Sequence, residues 1–349
     1  MRHAPGCGAC HSVSEYTLRH DVTASTWVAR QETVLMARKI IFDCDPGIDD
    51  AVALALALHD PRLEVLAVTA CAGTVDAGRS TQNLLSIVER LDPPRMPRIG
   101  AATDPDLGAA VANATLLHGE DGLGNARWAS TSRQHVMPAD KLIAEQVRAH
   151  PGEVTLVCSG PLSGIAKFMT RDPAAVALID RIIIAGGSTT CNGNVTAVAE
   201  FNMHFDPQSA RAVLQSPTTK TLVPLEVTEK LTFGWELMEE LPPKYSKAGA
   251  VMHAILPHLF RTTRQYLAQE TISLQAVMPI LMLLEPILFE TEEMGADVEV
   301  AGELTRGMLV FDRRAARPSH ATMEVITQLD IDAARDAFLN MLKFTGKGE

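Results

Sequence analysis

The sequence has few positive charges for its length. Of 349 residues, 31 are Lys or Arg and 42 are Asp or Glu, which leaves a formal net charge of -11. Such a charge opposes binding to a phosphate backbone or an anionic lipid surface, so neither nucleic acid nor a membrane is an expected partner. The chain also lacks any run of about 18 uncharged apolar residues, the length that a membrane-spanning helix requires.

Cysteine is scarce as well, with six in the chain. Cys44, Cys71, Cys158 and Cys191 are isolated in apolar or glycine-rich surroundings, which predicts reduced, mostly buried thiols rather than a disulfide framework. The other two lie in the stretch 7–11, whose C-x-x-C-H pattern is that of c-type haem attachment. Haem attachment of that kind requires export, and a single C-x-x-C pair is a weak zinc signal, so we expect neither group.

Residues 1–38 lack the features of a folded core or a targeting signal. They show no sustained apolar periodicity and no apolar stretch of secretory-signal length. We therefore expect a disordered tail or a misassigned start, with translation beginning at Met36, and a folded domain over residues 39–349. The expected location is the cytoplasm.

The rest of the chain alternates short β-rich runs with helical segments. Five runs are almost continuously apolar, at residues 39–43, 63–70, 153–158, 180–187 and 220–225. Strands of this kind are buried on both faces, which is typical of a parallel sheet covered by helices. The pattern predicts an α/β fold with a doubly wound, mostly parallel sheet.

The C-terminal third follows a different pattern. Residues 231–288 are mainly helical, residues 297–314 resemble a hairpin, and a strand at 321–329 precedes a closing helix from Asp332. Because we find no internal repeat and no Gly/Ser-rich or Pro-rich linker, we expect a single domain.

Four carboxylates lie within eight residues at the end of the first strand: Asp43, Asp45, Asp49 and Asp50. Ligands of open α/β sheets bind beyond the carboxyl ends of the strands, which is where this turn lies. Four like charges so close need a compensating cation or fixed donors, and a hard divalent metal prefers carboxylate oxygens. The turn therefore predicts a metal site.

The segment KIIFDCDPGIDDAVALALAL closely resembles the opening motif of the nucleoside hydrolases, in the inosine-uridine-preferring group. The resemblance continues, in order, through HGEDGLG (118–124), CSGPLSGIA (158–166), AGG (185–187) with GNVTAVAEFNMHFDP (193–207), PLEVT (224–228) and residues 297–314. It implies cleavage of the N-glycosidic bond of ribonucleosides to free base and ribose, in purine or pyrimidine nucleoside catabolism. It also implies a small-molecule nucleoside as partner and a homo-oligomer, either a dimer or a tetramer.

The resemblance assigns roles to individual residues. Asp45, Asp50 and the backbone carbonyl of Ser159 match the family's ligands for calcium (Ca2+), and Asp45 matches the general base that activates a metal-bound water. The family's ribose-binding residues match Asp49, Asn194, Glu200 and Asn202, and Asp43 matches a supporting hydrogen-bond residue. These assignments agree with the chemistry, because an anionic pocket stabilises an oxocarbenium-like transition state.

Two departures from the family pattern concern chemistry. Gly73-Thr74 stands where the family has Gly-Asn, which removes an amide near the sugar. Gln275 and Ala276 stand where the family has His-Asp, or Val277 and Met278 do in a shifted register. The loss of the His removes an acid for the leaving base, and the loss of the Asp weakens the calcium site.

The departures leave a second hypothesis open, a degenerate homologue that binds ribosides with little or no turnover. Nearby His253, His258 and Glu270 are candidate substitutes for the lost pair, although each fits a helix-surface position. A third interpretation treats DCDPG as the Asp-x-Asp motif of haloacid-dehalogenase-type phosphatases. Pro46 and Gly47 do not fit that motif, and Asp49-Asp50 would have no role in it.

Overall fold

The computed structural model describes residues 37–105, 114–130, 136–190, 192–314 and 322–346. The predicted tail therefore lies outside the described residues, apart from its last two positions, and so does Cys191. The other three isolated cysteines, Cys44, Cys71 and Cys158, are free and buried, as predicted.

Twelve strands occur in the described part of the chain. They are β1 Arg38–Cys44, β2 Leu63–Ala70, β3 Arg98–Ala101, β4 Met137–Pro138, β5 Val154–Cys158, β6 Ile179–Ala185, β7 Lys220–Val223, β8 Thr232–Phe233, β9 Ile272–Ser273, β10 Phe289–Val298, β11 Leu309–Phe311 and β12 Thr322–Leu329. Ten of them form one sheet in the order β11-β10-β12-β7-β6-β5-β1-β2-β3-β4.

Neighbouring strands from β4 through β1 to β12 run parallel, and the hairpin β10–β11 adds two antiparallel strands beside β12. The predicted doubly wound, mostly parallel sheet is thus confirmed. The hairpin is longer than predicted, since β10 begins at Phe289 rather than near Asp297.

Helices cover the sheet and connect its strands. They are α1 Ile48–His59, α2 Ala77–Leu91, α3 Ala114–His118, α4 Ala139–Ala149, α5 Ser163–Arg171, α6 Pro173–Val176, α7 Phe201–Phe205, α8 Pro207–Leu214, α9 Leu225–Thr228, α10 Leu237–Glu240, α11 Lys247–Leu267, α12 Met278–Leu284 and α13 Ile331–Thr345. Two 3-10 turns lie at Gln275–Val277 and Pro286–Leu288. None of the described helices combines the length and apolar character needed to cross a bilayer.

The first strand lies at the centre of the sheet and is buried on both faces. Ile40 and Phe42 pack into the larger apolar core, Ile41 packs into the core on the other face, and all three have no exposed surface. The short helix α1 follows it, and its Ala- and Leu-rich sequence is buried on nearly every side. The segment 43–50 is therefore held between a central strand and a central helix.

Strand β1 has β2 on one side and β5 on the other. After β1 the chain adds β2, β3 and β4 on one side of β1 and then returns to place β5 on the other side. The junction between β1 and β5 is therefore a topological switch point. Crevices beyond the carboxyl ends of strands at such points are where ligands bind in open α/β sheets.

Candidate active site

A cavity of about 990 Å³ opens at this carboxyl edge of the sheet. All seven residues predicted to be catalytic, ribose-binding or metal-ligating line this cavity: Asp45, Asp49, Asp50, Ser159, Asn194, Glu200 and Asn202. The fold therefore brings together residues from the β1–α1 turn, the end of β5 and the segment before α7.

Asp45 is buried and accepts two hydrogen bonds on one oxygen. The Thr74 backbone N–H and hydroxyl both donate to Oδ2, at 2.7 and 2.9 Å. Burial and the nearby Asp50 carboxylate raise the pKa of Asp45 well above its ordinary value, against the effect of the two donors. Since Thr74 occupies Oδ2, Oδ1 is the oxygen that is available to a water or a metal.

Asp50 lies in the first turn of helix α1 and is also buried. Its Oδ1 accepts from the Ser159 hydroxyl at 2.6 Å, and its Oδ2 accepts from the Gly47 backbone N–H at 3.1 Å. Burial, followed by the charge of Asp49, raises the pKa of Asp50 to about 7. These hydrogen bonds fix the carboxylate across the switch point, between β1 and β5.

Asp43 lies beneath these groups with no exposed surface. The Thr69 hydroxyl donates to its Oδ1 at 2.5 Å, and its backbone carbonyl accepts from the Ser159 backbone N–H at 2.9 Å. Burial raises the pKa of Asp43 to about 7, which the Thr69 hydrogen bond opposes. Asp43 thus joins the ends of β1, β2 and β5 and does not line the cavity.

Asp49 faces the cavity between two segments that are distant in sequence. Its Oδ2 accepts from the Ala276 backbone N–H at 3.2 Å, and its Oδ1 lies 4.0 Å from His118 Nδ1. Gln275 lines the cavity, whereas Val277 and Met278 are buried in the core. The backbone of the Gln275–Val277 turn therefore orients Asp49.

The ribose-binding candidates on the far side are held by backbone contacts. Both oxygens of Glu200 accept backbone N–H groups, from Asn202 and Met203 at the start of α7 and from Gly187 after β6. Burial raises the pKa of Glu200. Asn202 Nδ2 donates to the carbonyls of Ser159 and Ala185, at 2.8 and 3.0 Å.

Asn194 Oδ1 accepts from the Phe201 backbone N–H at 2.9 Å, so its amide nitrogen is the group left for a ligand. The three polar side chains on this side, Asn194, Glu200 and Asn202, are thus pre-positioned by the loop that they also stabilise.

His118 is a functional candidate to which sequence reasoning assigned no individual role. It ends α3, lines the cavity, and its Nδ1 accepts from the Ile48 backbone N–H at 3.0 Å. An Nδ1 that accepts leaves the proton of the neutral ring on Nε2. Burial lowers the pKa of His118, against the charge of Asp49, which favours the neutral ring that the Ile48 hydrogen bond requires. Its position in HGEDGLG was the available signal.

The donor set fits a hard divalent cation. Asp45 and Asp50 are buried without a Lys or Arg ion-pair partner among the described residues, and the Ser159 carbonyl lines the same cavity. Carboxylate and carbonyl oxygens are the ligands that such cations prefer. Within the described ranges no three His, Cys, Asp or Glu side chains are arranged to hold a metal ion, so the candidate donor set is two carboxylates and one carbonyl.

The parallel sheet, its switch-point cavity and the buried carboxylates define an α/β protein with an acid-lined, enzyme-like site. A family model described as inosine-uridine preferring nucleoside hydrolase matches residues 40–336. The chain belongs to this family, whose members are N-glycosyl hydrolases and are in general metal-dependent.

Individual relatives are similar over most of their length. An inosine-uridine preferring nucleoside hydrolase from Leishmania major is 32% identical over 302 residues, which cover 85% of this chain and 95% of that protein. The pyrimidine-specific ribonucleoside hydrolase RihA from Shewanella sp. (strain MR-7) is 35% identical over 294 residues, covering 82% and 91%. A solved structure of a plant nucleoside hydrolase superposes with a TM-score of 0.81 at 26% identity, over 89% of this chain and 99% of the other.

Proposed function

We propose that this chain hydrolyses the N-glycosidic bond of ribonucleosides to free base and ribose. The observation that carries the proposal is the pair of buried, uncompensated carboxylates, Asp45 and Asp50, at the switch-point cavity of a chain in this family. Buried carboxylates without counter-charges destabilise a fold, and they persist at sites where chemistry uses them.

The ribose would bind between Asp49 on one side and Asn194, Glu200 and Asn202 on the other. Asp49 accepts hydrogen bonds from ribose hydroxyls, and the amide nitrogen of Asn194 donates to a ribose oxygen. Positive charge develops on the sugar ring as the glycosidic bond breaks, and the surrounding carboxylates stabilise it.

Asp45 would act as the general base. Thr74 holds Oδ2, which leaves Oδ1 as the oxygen that would accept a proton from the attacking water. Removal of a positioned base costs roughly 10²- to 10⁴-fold in rate.

Asp45, Asp50 and the Ser159 carbonyl would hold the cation, which we propose to be Ca2+, bound weakly because only two carboxylates contribute. When bound, such an ion lowers the pKa of a coordinated water and orients the sugar. It would also stabilise the ionised forms of Asp45 and Asp50, whose pKa values burial raises.

The departing base would lie toward Gln275 and His118. The Gln275 amide can hydrogen-bond a base carbonyl, and the neutral His118 ring offers Nε2–H as a donor. Six carboxylates line the cavity, and no Lys or Arg does within the described part of the chain. Such a wall repels phosphate, so we propose unphosphorylated nucleosides as substrates. We also propose a homo-oligomer, on the family resemblance alone.

Ribose release from uridine, cytidine, inosine, adenosine and guanosine tests the proposal, in EDTA and with added Ca2+. We expect metal-dependent release that falls by at least about 100-fold in Asp45→Asn. Asp330→Asn is the matched control, because Asp330 caps the distant helix α13 and Asn caps helices equally well. It should retain wild-type activity.

Absence of ribose release from every nucleoside, in a folded protein with Ca2+ present, would reject the proposal. Calorimetry then separates the two remaining cases: nucleoside binding without turnover indicates a riboside-binding homologue, and no binding indicates neither function.

A further inference from the structure

Asn83 lies on helix α2 and does not line the cavity, yet its side chain joins two loops of the site. It is 2% exposed, and its Nδ2 donates to the carbonyl of Asp121 at 2.7 Å and to that of Pro46 at 3.3 Å. Pro46 belongs to the segment 45–50, which we call the carboxylate loop. Asp121 belongs to the segment 118–127, which we call the histidine loop.

The two loops also meet directly at the cavity. The Ile48 backbone N–H of the carboxylate loop donates to Nδ1 of His118, the first residue of the histidine loop, at 3.0 Å. This bond determines which ring nitrogen carries the proton, and it requires that the two loops keep their separation to within a few tenths of an ångström.

The histidine loop is a preformed unit. The Asp121 carboxylate accepts backbone N–H groups of Leu123 and Asn125 at 2.8 Å and of Arg127 at 2.7 Å. Gly122 has a φ of +80°, and a Cβ there would lie 3.1 Å from Asn83 Nδ2, so the loop backbone approaches the Asn83 amide closely. A change at Asn83 therefore displaces the loop as a whole rather than unfolding it.

The carboxylate loop has independent anchors. Thr74 holds Asp45, and Ser159 holds Asp50.

The histidine loop is anchored beside His118, where the Thr262 hydroxyl donates to the Leu117 carbonyl at 2.9 Å, and its Asp121 end is held to α2 by Asn83. Loss of the Asn83 donors would therefore shift the histidine loop about the Leu117 anchor.

We propose that Asn83 is a positioning residue that holds His118 against the Ile48 N–H and thereby keeps the proton of its neutral ring on Nε2, toward the leaving base. The kinetic part of this inference rests on the proposed function, whereas the tautomer of His118 can be measured without it.

Asn83→Asp is the most direct variant, because it keeps the shape of the side chain and replaces the donor by an oxygen that repels both carbonyls. Asn83→Ala removes the donor without adding charge and serves as the second variant if the first does not fold. Ser86→Ala is the matched control: Ser86 is equally buried on α2, and its hydroxyl bonds only the Asn83 backbone carbonyl among the contacts of the described residues.

Long-range 1H–15N spectra of the histidine-labelled protein at pH 8 report the tautomer, and a His118→Gln variant assigns the His118 signals. We expect the wild type and Ser86→Ala to show one fixed tautomer with the proton on Nε2. In Asn83→Asp and Asn83→Ala the two nitrogen signals should move toward each other, as in a ring that exchanges tautomers. Unchanged His118 signals in a folded Asn83→Ala protein would overturn the proposal.

Kinetics supply a second readout. With uridine, kcat should fall roughly 10-fold or more in the Asn83 variants, since a displaced donor no longer assists the leaving base. With 4-nitrophenyl β-D-ribofuranoside, whose leaving group departs without protonation, the loss should stay below about threefold. An equal loss on both substrates would show a merely structural role. If the wild type releases no ribose, the proposed function fails while the spectra still decide the role of Asn83.

Discussion

The two edges of the central sheet differ in whether their charged side chains have ion-pair partners. At the amino edge, Lys39 pairs with Glu153 at 2.5 Å and Arg95 pairs with Glu64 at 2.9 Å, and Lys39, Glu153 and Glu64 line a smaller cavity of about 550 Å³. At the carboxyl edge, Asp45 and Asp50 are buried without an ion-pair partner among the described residues.

This difference shows where the molecule tolerates unfavourable electrostatics. Paired charges near solvent contribute little to stability and cost little. Buried like charges raise their own pKa values and destabilise the fold until a cation or a substrate compensates them. Acids line both cavities, but the carboxyl-edge pair, Asp45 and Asp50, is buried and lacks a cationic partner among the described residues, so a bound cation would stabilise it.

The largest effect should come from closing the space around Asp45. A Cβ on Gly160 would lie 2.6 Å from Asp45 Oδ1 and 2.7 Å from Cys71 Sγ, closer than real Cβ contacts. Because a displacement of about 1 Å at a reacting group can cost about 100-fold, Gly160→Ala should lower kcat/KM for nucleosides by at least about 100-fold.

Gly164→Ala is the control for that variant, since the nearest atom to its Cβ, Asp43 Oδ1, is 3.7 Å away and Ala favours helix α5. It should keep wild-type kcat/KM. Equal activity of the two variants in steady-state assays would show that the space beside Asp45 Oδ1 is not used.

An intermediate effect should appear in the pH dependence of stability. The pKa of Asp50 rises from 3.8 to about 7 on folding, so its favourable contribution is complete below about pH 4 and is lost as the pH rises through about 7. Asp50→Asn removes this dependence. In EDTA, the free energy of unfolding of the variant minus that of the wild type should therefore increase from pH 5 to pH 8, by an amount on the order of 1–4 kcal/mol. Thermal melts would detect this change as a rising difference in Tm.

Thermal melts with added Ca2+ at pH 8 provide the complementary measurement. The ion favours the ionised carboxylate, so it should stabilise the wild type and have a smaller effect on Asp50→Asn. A Tm difference that does not change with pH, together with equal stabilisation by Ca2+, would contradict the assignment of Asp50 to the cation site.

The smallest effect should come from the amino edge. Glu153 is more than half exposed and pairs with Lys39, which lowers the pKa of Glu153. Glu153→Gln should change Tm by less than about 2 °C and leave kcat/KM unchanged, since solvent screens such pairs. A loss of activity in this variant would mean that the amino-edge cavity takes part in the function.

The buried part of the fold could be predicted from the sequence because its strands are almost continuously apolar. The predicted strand at 63–70 coincides with β2, and that at 39–43 differs from β1 by one residue at each end. The start of β10 was missed because FETEEM is a mostly exposed, acidic segment, and β3 was missed because it has only four residues. Residues 231–288, predicted as mainly helical, also contain the short pair β8–β9.

The residues that line the candidate site could be predicted from the sequence motifs, but the contacts among them could not. In the sequence, Thr74 replaces the Asn of the family pattern and so indicates a lost amide, yet its hydroxyl and N–H both donate to Asp45. Ala276 stands where the family pattern has Asp and so indicates a lost carboxylate, yet its backbone N–H donates to Asp49. Backbone donors are the same for every residue type except proline, so a sequence pattern cannot show where they point.

The outer strands of the sheet bear on how copies of this chain can associate. The strand at one end, β4, has two residues, and the strand at the other end, β11, has three. Strands this short offer almost no open hydrogen-bonding ladder to a neighbouring chain, which protects against edge-to-edge aggregation. A homo-oligomer of this protein would accordingly assemble through its helices and loops, with each sheet ending inside its own subunit.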